Sequence, residues 1–324
     1  MINPPASIPE FLAGPPTFTA QTEVTKTVND LEAGTEYVVY AAIGDYYTCL
    51  LYTSLVIPLY GRRLCSQMFP TLFQDESAAE LMERIDYDFS ELEKQSNSLM
   101  QVFGAMEVAM RQSDLAWEVR DYLKMHPKAA VVNLGCGLDN TGRACDNGNC
   151  KIYNIDLPEV TRLRNRLLPA GPRERNLALN LNDPAWMDAI DADPADGTVL
   201  FAAGVFYYFT TKQMQRMVTS MAERFTDGRL VFDGAGKTAV KLMLKTWVKQ
   251  AGIKDVGAYF SVKDAKGELE RWSPLLSVSS RGYMQGYRKL EGPGVKPIHR
   301  LLAKIADGPL HLQIVRMEFK EVSR

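Results

Sequence analysis

The sequence predicts an α/β fold: a doubly wound, mostly parallel sheet of seven strands, closed by an antiparallel hairpin and carrying helical lid additions. Three observations carry that prediction. From residue 129 to about residue 250, short apolar runs alternate with amphipathic stretches, the pattern that builds a parallel sheet covered by helices. A glycine turn, Gly135-Cys136-Gly137, leaves the first apolar run, and Asp156 closes the second. Two later runs, Arg271–Ser280 and Leu312–Phe319, have only loops and a short helix (Ile298–Ile305) between them, which suits a terminal hairpin.

The elements follow in order. Residues 1–35 are rich in Pro, Thr and Ala without a clear period, and residues 1–50 are expected to form a peripheral arm beside a main domain over 51–324. Tyr37–Tyr60 holds one charge, Asp45, but is rich in Tyr and Thr and interrupted by Gly44 and Pro58. That composition favours a buried or interfacial helical arm over a membrane span. Thr53–Arg62 reads as an apolar helix or turn leading to an exposed basic pair, Arg62-Arg63. Asp75–Ile85 has a helix start at Asp75-Glu76 and apolar positions at Leu81, Met82 and Ile85. Val102–Lys124 repeats apolar residues at helical spacing until His126-Pro127 stops it. Periodicity alone leaves Arg111, inside that helix, as a solvated surface cation.

The first strand is expected at Ala129–Leu134 and the second at Lys151–Ile155. After Pro158, Val160, Leu163 and Leu167 define one helix face, with Arg162, Arg164 and Arg166 assigned to the exposed side. Arg175–Leu181 reads as a third strand leading to a loop over Asn180–Asp183, and Trp186-Met187 begin another helix. Thr198–Ala202 is a continuous apolar run, typical of a strand covered on both faces. Lys212–Phe225 is a helix with Met214, Met217 and Met221 inward, and a turn at Asp227-Gly228 precedes a fifth strand ending at Asp233.

Composition excludes some functions. The chain has 324 residues, 46% hydrophobic and 23% charged, and a net charge of −2, so no basic field offers itself to nucleic acid. Five scattered cysteines suggest reduced thiols in a cytoplasmic protein. Cys136, Cys145 and Cys150 lack the paired spacing of a structural zinc site, and no metal is expected.

Three readings of the glycine turn compete. The plainest is a tight strand-to-helix turn that binds nothing. A dinucleotide site would want a third glycine where Asn140 stands, and Asp139 would set negative charge near phosphate. S-adenosylmethionine has no phosphate and carries a sulfonium and an amine, so acidic residues near the loop are tolerable or helpful. Asp156, at the end of the next strand, would then take the ribose hydroxyls. The pattern favours this cofactor over a dinucleotide.

VVNLGCGLD followed by YNIDLPEV resembles the leucine carboxyl methyltransferase superfamily, and most closely its tetracenomycin-type branch of small-molecule O-methyltransferases. IPLYGR, the helix bearing Arg111, AAGVFYYF and WSPLLSVSSRGYMQGY extend the resemblance from about Tyr52 to Phe319. It implies a Rossmann-like domain that binds S-adenosyl-L-methionine. Arg111 matches the family's grip on the methionyl carboxylate. Gly135, Cys136 and Gly137 match its cofactor loop, Asp156 the ribose acid, and Asn180 and Leu181 an Asp-Leu pair at adenine. Ala203 stands where the protein-modifying branch has a glutamate. The family's Asp-Thr-Arg after the glycines is here Asp139-Asn140-Thr141-Gly142-Arg143, two residues longer, which leaves Arg143 without an assigned role.

The acceptor side is less legible. Phe206, Tyr207 and Tyr208 follow the fourth strand and are candidates for substrate contact, with Tyr208 the candidate for positioning. Thr53–Ser98 and Ala235–Ala306 are expected lid elements; Trp272, Tyr283, Met284 and Tyr287 in the second suggest an apolar pocket. His126 precedes the first strand, at the wrong end of the sheet for a base, while His299 and His311 fall in the tail. The lack of an evident base favours a carboxylate or an acidic phenol as acceptor. A protein C-terminal carboxyl methyltransferase and a non-catalytic cofactor-binding module are the alternatives, and the sequence leaves the oligomeric state open.

Overall fold

The computed structural model describes residues 55–243 and 260–320. The expected arm over 1–50 lies outside them, as do most of Tyr37–Tyr60 and residues 244–259 of the second expected lid. Seven strands form one sheet in the order β3-β2-β1-β4-β5-β7-β6. They are β1 Ala130–Leu134, β2 Lys151–Asp156, β3 Glu174–Ala178, β4 Thr198–Ala202, β5 Arg229–Gly234, β6 Leu276–Gly282 and β7 Gln313–Phe319. The first five pair in parallel; β7 runs antiparallel to both β5 and β6. The predicted doubly wound sheet with a terminal hairpin is therefore present.

Every residue of β1 and β4 is buried, as their largely apolar sequences require of central strands. The chain winds outward from β1 through β2 to β3, then returns to β4 on the other side of β1. This reversal places a crevice outside the C-terminal ends of β1 and β4. The glycine turn, Asp156, Asn180, Ala203 and Asp233 all follow or close strands at that same edge. His126, before β1, lies at the opposite edge, stacked on Tyr122.

Helices cover the sheet: α1 over 55–68, α2 Glu76–Arg84, α3 Ser90–Lys94, α4 Leu99–Met125, α5 Thr141–Ala144, α6 Pro158–Leu167, α7 Thr211–Arg224, α8 Lys237–Met243, α9 Ala265–Leu269 and α10 Pro297–Asp307. Several of their starts carry side-chain caps, the expected start at Asp75 among them. Asp75 accepts from the Ala78 N–H before α2, Ser98 from Gln101 before α4, and Thr210 and Gln213 form a reciprocal box before α7. Met214, Met217 and Met221 face the core with Phe225 and Trp186. No helix of the described residues is long and apolar enough to cross a membrane.

Several sequence expectations need correction. The run Arg271–Ser280 is not one strand: Glu270–Trp272 form a 3₁₀ turn and β6 starts at Leu276, because Pro274 has no N–H to give a ladder. The third strand stops at Ala178 rather than Leu181, where its pairing with Asp156 ends. Trp186 and Met187 belong to a 3₁₀ segment, Pro184–Ala189, capped by Asp183. Arg62 is not exposed. It follows Leu55 and Leu59 at helical spacing, so the buried stripe of α1 carries it inward, to 4% exposure. Arg164 is likewise buried at 2%: it adjoins Leu163 and lies three residues from Leu167, on the edge of the inward face of α6. Trp272, Tyr283, Met284 and Tyr287 form no common pocket. Tyr283 and Met284 fill the core under α4, Trp272 packs on Phe260, and Tyr287 stacks on Trp117.

Candidate functional site

A cleft of about 520 Å³ opens at the C-terminal edge of the sheet, lined from β1 by Gly135, Cys136 and Gly137, from β2 by Asp156, and from beyond β3 by Asn180 and Leu181. The loop after β4 adds Ala203, Gly204, Val205 and Tyr208, while α4 adds Arg111 and Gln112. Helix α1 closes one side with Leu55, Pro58 and Arg62. Sequence reading separated these residues by more than a hundred positions; the topological reversal gathers them.

The glycine turn is shaped by conformation and by space. Gly135 has φ +65° and Gly137 φ +48°, a region that L side chains rarely adopt. A Cβ on Gly135 would lie 2.6 Å from the Val205 side chain. The turn is held from outside. Asp156 accepts from the Gly137 N–H at 2.8 Å and from the Leu157 N–H at 2.8 Å. Arg164 Nη1 donates to the carbonyls of Gly137 at 2.9 Å and Asp139 at 2.7 Å. Burial pushes the Asp156 carboxyl above its ordinary value, against the pull of those two N–H groups and of Arg164.

At the other end, Arg111 Nη1 donates to Asp233 at 3.0 Å, and Asp233 also accepts from the Gly204 N–H at 2.6 Å. Burial by itself would lower the Arg111 guanidinium's pKa; Asp233 outweighs it, with help from Tyr283, Tyr207 and Glu107, and holds it above its ordinary value. Arg111 is thus a cation that the fold keeps charged inside the cleft wall, not a solvated surface residue.

Asp139 fastens the middle. Its Oδ1 accepts from the Thr141 N–H at 3.1 Å, the Thr141 hydroxyl at 2.7 Å and Gln112 Nε2 at 3.2 Å; its Oδ2 accepts from Asn133 Nδ2 at 3.2 Å. Arg62 donates to Asp75 at 2.8 Å and to the Leu138 carbonyl at 3.0 Å, tying α1 to the same loop. The residues that lengthen this loop fold into α5. From there Arg143 turns away from the cleft and pairs with Glu174.

The candidate site residues are therefore mostly brought together. Arg111, Gly135, Cys136, Gly137, Asp156, Asn180, Leu181, Ala203 and Tyr208 line one cleft. Phe206 and Tyr207 do not: Phe206 packs edge-on against Phe232 in the core, and Tyr207 is buried behind Arg111 and Asp233. Tyr208 remains 40% exposed. None of the described residues of the second expected lid, 235–243 and 260–306, lines the cleft. Sequence reading passed over Gln112, Gly204 and Asp233. Asp233 had a usable signal, since it stands one residue before the end of β5, much as Asp156 ends β2.

A family model described as leucine carboxyl methyltransferase matches residues 60–222, about half of the chain. The chain is 28% identical over 185 residues to the tetracenomycin polyketide synthesis O-methyltransferase of Streptomyces glaucescens; the match covers 56% of this chain and 65% of that relative, less than two thirds of its length. Among solved structures it is similar to a protein titled a putative methyltransferase from Thermobifida fusca (15% identity, TM-score 0.49, 81% of this chain and 94% of that one). A second similar structure is an O-methyltransferase family protein from Burkholderia thailandensis (13% identity, TM-score 0.44, 82% of this chain and 72% of that one).

Proposed function

The chain belongs to the leucine carboxyl methyltransferase family, and from that premise we propose that it is an S-adenosylmethionine-dependent O-methyltransferase acting on a small-molecule carboxylate or phenol of the polyketide or secondary-metabolite type. The observation that carries this reading is the polarity of the cleft. A charged Arg111 stands in one wall and the Asp156 carboxylate in another, with the glycine turn between them.

The residues fit the cofactor. A Cβ on Gly135 would crowd Val205, so that turn is reserved for backbone, which can approach a ligand closely. Arg111 uses Nη1 on Asp233, and its remaining donors suit the methionyl carboxylate. Asp156 suits the two ribose hydroxyls, and Asn180 and Leu181 the adenine. When bound, the cofactor supplies an electrophilic methyl on its sulfonium. The chain's own task is to align the acceptor with it and keep water out. Leu55, Pro58 and Arg62 of α1 would serve as the covering lid, and Tyr208 would position the acceptor.

None of the three histidines lines the cleft. A carboxylate acceptor needs no base at neutral pH, and an acidic phenol little help. Ala203 leaves no acidic side chain at its position, which supports the small-molecule reading over methylation of a protein terminus.

Calorimetry with S-adenosylmethionine tests the first half, and radiolabelled methyl transfer to aromatic acids, phenols and peptide C-termini tests the second. Saturable binding that Asp156→Ala weakens, with label on a small acid or phenol, is the expected result. No binding sinks the proposal; label only on peptides moves the protein to the other branch; binding without any transfer leaves a cofactor-binding module.

A further inference from the structure

Resting on the proposed cofactor, we infer that Gln112 receives the cofactor's α-ammonium group through its side-chain carbonyl oxygen. The amide is oriented by its neighbour. Asp139 Oδ1 already accepts from the Thr141 backbone N–H, a donor that cannot reverse its role, so the Gln112 atom facing that oxygen must be the amide nitrogen. That leaves Gln112 Oε1 turned from Asp139, and it is buried with no hydrogen-bond partner.

A buried acceptor without a donor costs free energy, so such an atom asks for an explanation. Among the described residues, unpartnered buried side-chain atoms also occur on Asn140, Asn154, Trp186 and Arg281, but of these residues only Gln112 lines the cleft. A turn of the Gln112 side chain that brings Oε1 from its buried position to the cleft surface would offer it the ligand's donor. A methionyl head group carries its carboxylate and ammonium on one carbon, and Arg111 and Gln112 are consecutive on α4 with both in the cleft wall. Arg111 is the charge complement of the carboxylate. A neutral carbonyl oxygen is then a suitable acceptor for the ammonium, because it adds no second negative charge beside Asp139 and Asp156.

The experiment compares two ligands that differ by the amine alone. S-adenosylhomocysteine and its deaminated analogue, which keeps the carboxylate and adenosine, are titrated by calorimetry into wild type, Gln112→Leu and Gln112→Met. The amine should tighten binding to wild type, and Gln112→Leu and Gln112→Met should each weaken S-adenosylhomocysteine about ten- to a hundredfold, the range for a hydrogen bond to a charged group, while the deaminated analogue binds wild type and variants alike. A parallel loss for both ligands means that Gln112 only braces the Asp139 loop, and overturns the inference, as does unchanged binding of S-adenosylhomocysteine. A wild-type chain that binds neither ligand overturns the proposed function as well, which separates the two failures.

Discussion

Arg111 and Asp233 form a buried ion pair at 3.0 Å, and the free oxygen of Asp233 holds the backbone N–H of Gly204 at 2.6 Å. One carboxylate at the end of β5 thereby fixes both the cation on α4 and the start of the loop after β4. Asp233 is 2% exposed in its side chain and Arg111 14%, so solvent does little for either charge alone.

Asp233→Asn keeps an acceptor for Gly204 but strips Arg111 of its counter-charge. Breaking a buried pair from one side costs about 3–5 kcal/mol. The ligand-free variant should melt well below wild type. Saturating S-adenosylhomocysteine should recover part of that loss, since its carboxylate restores a counter-charge and ligand binding adds stability by mass action. Differential scanning calorimetry with and without ligand checks this; equal losses in both states would show that Asp233 serves the loop and not the cation.

Gly135→Ala probes the turn. The φ of +65° and a Cβ placed 2.6 Å from Val205 act together, at about 1–3 kcal/mol for a strained backbone and a similar amount for the overlap. Adding Val205→Ala should return the overlap part but not the backbone part, so the double variant should fall between the single variant and Val205→Ala. Urea denaturation of the four proteins tests the additivity.

Asp156 gives opposite signs for binding and for stability. Burial raises its folded pKa above the unfolded value, so its contribution to stability is full below the unfolded pKa and is lost as pH rises through the folded pKa. Cofactor affinity runs the other way, because two ribose hydroxyls need an ionised acceptor. Affinity should fall as pH drops through the raised value, with a midpoint above the ordinary carboxylate range near 3.8. Asp156→Asn should flatten that pH dependence while lowering affinity about tenfold or more at neutral pH, as expected for losing a charge-assisted hydrogen bond. Isothermal titration from neutral pH downward decides it, the affinity of wild type falling earlier than that of a carboxylate at its ordinary value.

The strands and most of the cleft were legible because both depend on local signals. β1 and β4 are largely apolar runs, and the two glycines sit where the chain must turn. Asp156 stood out by closing a strand. What escaped the sequence were side chains whose partners lie far away. Arg62 reaches Leu138, Arg164 reaches Gly137 and Asp139, and Asp233 reaches Arg111, across spacings from 25 to 122 residues. A charged residue next to an apolar stripe is commonly solvated; here Arg62 and Arg164 are buried against backbone carbonyls. Tyr283 and Tyr287 misled for the reverse reason, since aromatic residues close in sequence went to separate packing partners.

Arg164 is the sharpest case, because a residue whose position in the sequence points to solvent holds the glycine turn from behind. Its Nη1 serves the Gly137 and Asp139 carbonyls, and its Nε donates to Asn176 at 3.1 Å. Those two carbonyls bracket the far half of the glycine turn, where the loop runs into α5. A planar guanidinium can span such acceptors; a lysine ammonium, a point charge on a shorter side chain, can satisfy fewer, and methionine none. Arg164→Met keeps the buried stem but leaves two carbonyls without this donor, at about 2–5 kcal/mol for several charge-assisted bonds that are not additive. Stability and S-adenosylmethionine affinity should both rank wild type, then Arg164→Lys, then Arg164→Met. Thermal melts and calorimetry read the two orders independently. Destabilisation with wild-type affinity would place Arg164 in the packing of α6 alone, whereas loss of both locates it in the support of the cleft.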